Sequence, residues 1–346
     1  MGRPYVNVTS ENIVDELKKR ALHVLPEIQN LPGVVGITLN GGLARGYGDC
    51  LSEIDLTIFL TAPVYARWQR GLAPITVGIC KIQDQLFDLK IAEIEVEESR
   101  PWGSVELWDL SYAKILYDPN GAIDALKDSK LSQKPTPADA GARLFAAWWS
   151  YRLAGDIWLY RGDPLQGHFI LGDAVRSLVE ALFLINREYV PHAKWLIHLS
   201  RTLERQPTNW PQWLTALCAT GDLSLRSLEQ RQRSIHDLWM LLDAWVREAV
   251  PSPVPAMTHF MYTLMERLVQ AGSMSVVEWE QHASLSLLNM DPFKKVTVVD
   301  EQWVRFAPAK LAAIRPEDMY AWHYQIVEAI AAQQSPAGRR SNDVPD

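Results

Sequence analysis

Apolar residues Ile13, Val14, Leu17, Ala21, Val24 and Leu25 recur at the spacing of one helix face and predict a helix over 11–30, with Ser10 as its N-cap. Pro32 and Gly33 end it, and the period changes. Val34, Val35, Ile37 and Leu39 form a β-branched run that stops at Asn40-Gly41-Gly42. The run Ile54–Leu60 is nearly all apolar after Asp55, as a central strand covered on both faces would be. Two further strands are expected at 75–82 and 86–96. In the second, Asp88, Lys90 and Ala92 alternate with Phe87, Leu89 and Ile91 until the phase shifts near Glu93.

Past the polar stretch 127–139, which holds Pro135 and Pro137, helical periodicity takes over. Helices are expected at 138–161, 164–187, 192–205, 224–249, 256–271, 275–289 and 316–333, and only 296–299 hints at another strand. The pattern predicts an α+β chain: a mixed domain over 1–130, an all-α helical bundle domain over 131–333 and a flexible tail over 334–346.

The length of 346 residues fits two domains. Forty-one acidic against 34 basic residues leave a charge of −7, which opposes long-range attraction to a polyanion, so general nucleic-acid binding is not expected. No apolar run approaches the roughly 18–20 residues of a membrane span, and the N-terminus lacks the order of a signal peptide, so a cytoplasmic protein with no membrane partner is expected. Cys50, Cys80 and Cys218 are odd in number, widely spaced and without ligand-spaced neighbours, which argues against a disulfide framework or a zinc site. His168, His192, His198 and His236 share no ligand spacing either, and read as hydrogen-bonded helix residues.

The segment from Gly41 to Leu56 carries the chemistry. A diglycine directly after a strand lets the backbone turn sharply and aims amides of the next helical turn at an anion. Ten residues on, Glu53 and Asp55 stand two apart at the start of an apolar strand, so both carboxylates leave the same face. Such a pair repels itself unless a divalent cation neutralises it, and hard oxygen donors suit Mg²⁺.

Gly41, Gly42, Ala44, Gly46, Ser52, Asp55 and Leu56 together resemble the signature of the nucleotidyltransferase superfamily related to DNA polymerase β, written G-[GS]-x-A-x-G, a spacer, then S-D-x-D-L. Glu53 stands where that pattern has Asp, and Gly42 where many members have Ser. The resemblance implies a two-metal phosphoryl-transfer site using two Mg²⁺ ions and ATP or another NTP, with Glu53, Asp55 and a third carboxylate as ligands. Asp88, in Phe87-Asp88-Leu89, fits the third position best, with Glu95 as its competitor. Gly41, Gly42 and Ser52, with Arg45, would meet the nucleotide phosphates.

A second, fainter resemblance spans 100–200. Arg100-Pro101-Trp102, Leu116-Tyr117-Asp118-Pro119, Arg161-Gly162-Asp163, Asn186-Arg187-Glu188-Tyr189, Pro191 and Lys194-Trp195 look like blocks of uncharacterised bacterial nucleotidyltransferase-like proteins with a helical C-terminal domain. That layout is similar to antibiotic nucleotidyltransferases.

On the helix 164–187, Asp173, Arg176 and Glu180 make one polar stripe. Facing an interdomain cleft, Glu180 would serve as the base for an acceptor hydroxyl, with Arg176 or Lys194 meeting phosphate. The favoured alternative is an ion-pair network holding the bundle. Of the 14 Trp, 11 follow residue 130. Most should be core, while Trp148, Trp149, Trp158 and Trp195 are candidates for stacking on a flat ligand.

Three function classes follow. The first transfers an NMP, AMP from ATP foremost, to a hydroxyl of a small-molecule acceptor such as an aminoglycoside-like antibiotic or other natural product. The second transfers a nucleotide to tRNA or a protein, as toxin-like relatives do. The third is a catalytically silent nucleotide-binding or antitoxin-like module, which Glu53 in place of Asp keeps in play.

Overall fold

The protein, a computed structural model, is described for residues 2–249, 257–289 and 293–313. Its contacts divide it into two units. The first joins Met1–Thr136 with Asn186–Gln206, and the second joins Pro137–Ile185 with the described residues from Pro207 onward.

The first unit is built on five strands: β1 (Val34–Leu39), β2 (Ile54–Leu60), β3 (Gly78–Ile82), β4 (Gln85–Glu93) and β5 (Lys114–Tyr117), in the spatial order β3-β4-β2-β1-β5. β2 runs antiparallel to β1 and parallel to β4, so the sheet is mixed. Ile54, Leu56 and Ile58 of β2 are fully buried with Phe87 and Leu89 of β4. The helix Val14–Gln29 covers that face with Leu17, Ala21, Val24, Leu25 and Ile28. Alternation in β2 and β4 therefore sends Asp55, Asp88 and Lys90 to the other face.

Local differences from the sequence pattern have local causes. The first helix starts at Val14, and Ser10 is not its cap: the Ser10 hydroxyl pairs with Tyr47 and Asp49, while Asn12 Oδ1 accepts from the Val14 amide at 3.2 Å. β4 stops at Glu93, where the alternation breaks, and Ile94–Ser99 is helical. The strand expected from 75 begins at Gly78.

Asn186–Gln206, expected inside the helical domain, belongs instead to the first unit. Arg3 donates to Glu188 at 3.2 Å, the Asn7 amide donates to His198 Nε2 at 3.0 Å, and the Tyr189 hydroxyl donates to the Gln133 carbonyl at 3.0 Å. These partners lie far apart in sequence and leave no periodic trace. The segment includes the helix Ala193–Ser200, capped by His192.

The second unit packs the helices Ala140–Trp148, Gly155–Arg161, Pro164–Ile185, Trp210–Cys218 and Leu225–Ala249, the first two joined by the π-helical turn Trp149–Ala154. Leu171, Ala174, Leu178, Val179 and Leu182 of Pro164–Ile185 are buried. Gly167 admits Leu228: a Cβ there would come within 2.5 Å of Leu228 Cδ2.

An all-α second domain is not what forms. β6 (Ser273–Ser275), β7 (Thr297–Val299) and β8 (Trp303–Phe306) make a three-stranded sheet, ordered β6-β8-β7. It shares a core with Leu264, Met265, Trp279 and Phe293. Strands of three or four residues are too short to display a period, which is why this region reads as helical. The helix expected at 275–289 is likewise a short helix, Val276–Glu280, and a 3₁₀ turn, Leu285–Asn289. The expectations for 316–333 and 334–346 lie outside the described residues.

Candidate functional site

The parallel pairing of β2 with β4 sets Asp55 opposite Asp88 and Thr57 opposite Lys90, with Glu53 one residue before β2. Glu53, Asp55 and Asp88 each bring a carboxylate oxygen within 4.8 Å of the others. Glu95 lies apart from them on the helix Ile94–Ser99, exposed. Lys90, two residues after Asp88 and on the same face, reaches Asp88 Oδ2 at 3.1 Å and Asp55 Oδ1 at 3.7 Å. The Asp55 side chain is 15% exposed. Burial pushes its carboxyl up to about 6, a shift that Lys90 opposes and the charges of Glu53, Asp88 and Asp109 reinforce.

The turn before the short helix Gly41–Ala44 is fitted to this cluster. Gly41 has φ +63°, and a Cβ there would lie 1.8 Å from Asp55 Oδ2. A Cβ on Gly42 would meet the Tyr47 carbonyl oxygen at 2.9 Å. The Asn40 amide donates to the Asp55 carbonyl at 2.9 Å, so turn and strand move together. The donor set fits a hard divalent cation. Three carboxylates converge, and the glycine cradle keeps side chains away from Asp55.

A cavity of about 710 Å³ opens beside the cluster, lined by residues of the first unit, Gly41, Gly42, Glu53, Asp55 and Lys90 among them. Arg45, Ser52 and Lys194 also line it. Arg45 is held rather than free: its side chain is 6% exposed, Nη1 lies 2.8 Å from Asp109 Oδ1, and the guanidinium sits 4.4 Å from the centre of the Trp108 ring. Trp195 is its second aromatic neighbour, at 5.8 Å. Among the described residues, neither Arg45 Nε nor Trp195 Nε1, both buried, meets an acceptor. The Ser52 hydroxyl accepts from the Asp49 amide at 2.9 Å, which braces the loop. Lys194 is exposed at the start of its helix.

Arg176 and Glu180 belong to the second unit and do not line this cavity. Glu180 pairs with Arg143 at 3.0 Å, whereas Arg176 and Asp173 form an exposed pair at 3.8 Å. His168 and His198 sit in hydrogen bonds, the former accepting through its carbonyl from buried Arg231 at 2.8 Å. Of the Trp candidates, Trp148 is fully buried and Trp195 lines the cavity, joined by Trp102 and Trp108 from the first 130 residues. Sequence reasoning assigned no role to Lys90, Trp108 or Asp109. For Lys90 the signal was present, since the strand alternation already put it on the face of Asp88.

A family described as "Domain of unknown function (DUF4037)" matches residues 104–196, a stretch that includes Trp108, Asp109, Lys194 and Trp195 of the cavity wall. No curated protein matches the chain. Among solved structures, the chain is similar to a nucleotidyltransferase-like protein from Exiguobacterium sibiricum, with 12% identity and a TM-score of 0.40 over 84% of this chain and 99% of that one. Among the described residues, no helix is long and apolar enough to cross a membrane.

Proposed function

We propose that the protein is a divalent-cation-dependent nucleotidyltransferase that moves a nucleoside monophosphate, AMP from ATP foremost, to a hydroxyl of a small-molecule acceptor, with pyrophosphate leaving. One observation carries this reading: Glu53, Asp55 and Asp88 meet on one face of a mixed sheet, directly beside a glycine turn that follows the neighbouring strand. A Mg²⁺ ion held there supplies neutralisation of phosphate charge and a lower pKa for an attacking hydroxyl.

The chain's own residues do the rest. Glu53, Asp55 and Asp88 hold the cation. Gly41 and Gly42 let phosphate oxygens approach the backbone, where any side chain would collide with Asp55 or with the Tyr47 carbonyl. Lys194 brings an exposed ammonium to the same cavity, and Trp195 brings a partly exposed ring. Glu97 and Glu106 in the lining are paired with Arg100 and Asp109 with Arg45, which leaves Asp49 and the carboxylate cluster to meet a neutral or cationic acceptor such as an aminoglycoside-like compound.

The test is pyrophosphate release from ATP with Mg²⁺ across a panel of hydroxylated neutral and cationic acceptors. Release that requires acceptor and disappears in Asp55→Ala supports the proposal. Full activity in Asp55→Ala refutes it.

A further inference from the structure

We propose that Lys90 is the resident cation of the acidic cluster and that, with Lys90 in place, the nucleotide-free centre takes one divalent ion rather than two. The inference rests on the cluster being a metal centre, and it concerns that centre before any nucleotide adds its own charge.

Position is the first argument. Lys90 lies in β4, an interior strand paired on both sides, and its Cα stands opposite Thr57 of β2. The strand period points it to the face that carries Asp88, and the parallel register brings Asp55 onto the same face. Its ammonium therefore reaches both Asp88, at 3.1 Å, and Asp55, at 3.7 Å. An ion bridging Asp55 and Asp88 would need that same space. The Glu53 side of Asp55 is left for a cation, and no ion pair holds Glu53 among the described residues.

Charge is the second argument. Three ionised carboxylates carry −3, and one ammonium among them leaves −2, which a single divalent ion cancels. A second divalent ion would make the cluster net positive and stand against Lys90 at close range. Arg45 cannot exchange roles with Lys90, since it is held by Asp109 at 2.8 Å and packed against Trp108. Among the described residues, Lys90 is the one cation in ion-pair distance of Glu53, Asp55 or Asp88.

A lysine in this place has a functional consequence. It is a counter-charge tethered to the same strand as Asp88, so the carboxylates keep a partner when metal is scarce. Lys90 is thus a positioning residue, acting on the reaction through Asp55 and Asp88.

The experiment is a Mn²⁺ titration of the full chain without nucleotide, with free Mn²⁺ read by electron paramagnetic resonance. Wild type should bind one Mn²⁺ per chain, Asp55→Ala none, and Lys90→Met two. Lys90→Arg, which keeps the charge, should stay at one. Thermal melts identify any variant that fails to fold, and Lys90→Gln then replaces Lys90→Met. The wild-type count needs no variant. Two ions in wild type, or one ion in a folded Lys90→Met protein, overturn the inference while leaving the metal centre intact. No ion in wild type, or one that persists in Asp55→Ala, removes the metal centre and the inference with it.

Discussion

Replacing Asp55 by Asn should stabilise the metal-free protein at alkaline pH while abolishing the proposed nucleotide transfer. The substitution keeps the shape of a protonated Asp and removes the charge. Asp55 is 15% exposed, and its carboxyl is raised from 3.8 to about 6, first by burial and then by Glu53, Asp88 and Asp109, against the opposing pull of Lys90. A carboxyl raised in the folded state holds its proton more tightly there than in the unfolded chain. Stability from this group is therefore greatest below pH 4, declines as pH rises toward 6, and above that the whole cost of the buried charge is present. Two pKa units at 1.36 kcal/mol each make that cost about 3 kcal/mol, an upper figure for a site that solvent partly reaches. For a unit of this size it corresponds to roughly 6–12 °C in Tm. The assay is thermal unfolding in chelator at pH 8 and pH 4 for both proteins. Asp55→Asn should melt higher at pH 8 and level with wild type at pH 4. Mg²⁺ at 100 times its dissociation constant should return about 2.7 kcal/mol to wild type and less to the variant, which keeps only two of the three carboxylates. A variant no more stable than wild type at pH 8, or one whose advantage ignores pH, would refute the assignment of Asp55 as a destabilised, metal-ready carboxylate.

Other substitutions probe the surroundings of that carboxylate. Gly41→Ala should cost about 1–3 kcal/mol, because Ala disfavours φ +63° and its Cβ would displace Asp55 Oδ2 from 1.8 Å. Urea unfolding measures the loss, and Mn²⁺ binding should weaken in parallel. Arg45→Ala should also cost about 1–3 kcal/mol, since Asp109 loses its partner and the Trp108 ring loses its cationic cover. Its chemical denaturation midpoint should fall, and an unchanged midpoint would contradict the buried pairing.

The parts of this architecture that the sequence discloses are those with a strong, local pattern. β1 and β2 are readable to the residue because β-branched and apolar runs are bounded by turn residues. The face of Asp88 is readable because Phe87, Leu89 and Ile91 alternate with it, and the broken phase at Glu93 is what removes Glu95 to a helix. What stays hidden depends on partners distant in the chain. β5 has four residues, the strands β6 and β7 three each, and the return of Asn186–Gln206 to the first unit rests on bonds to Arg3, Asn7 and Gln133. The reach of Lys90 to Asp55 is of the same kind. Alternation places Lys90 beside Asp88, but only the parallel register of β2 and β4 brings Asp55 alongside, and no residue pattern distinguishes that register from an antiparallel one. The tryptophan excess misdirects for a related reason. Its bulk lies after residue 130, yet two of the three rings lining the cavity, Trp102 and Trp108, come before it. A site is nonetheless marked where local and global demands conflict. An acid in an otherwise apolar central strand gains nothing from burial and raises its own pKa, and a glycine with positive φ must be spent to make room for it. In the metal-free fold Lys90 offsets these costs only in part, since the Asp55 carboxyl stays raised beside it, and a cation held by the carboxylates would offset the rest.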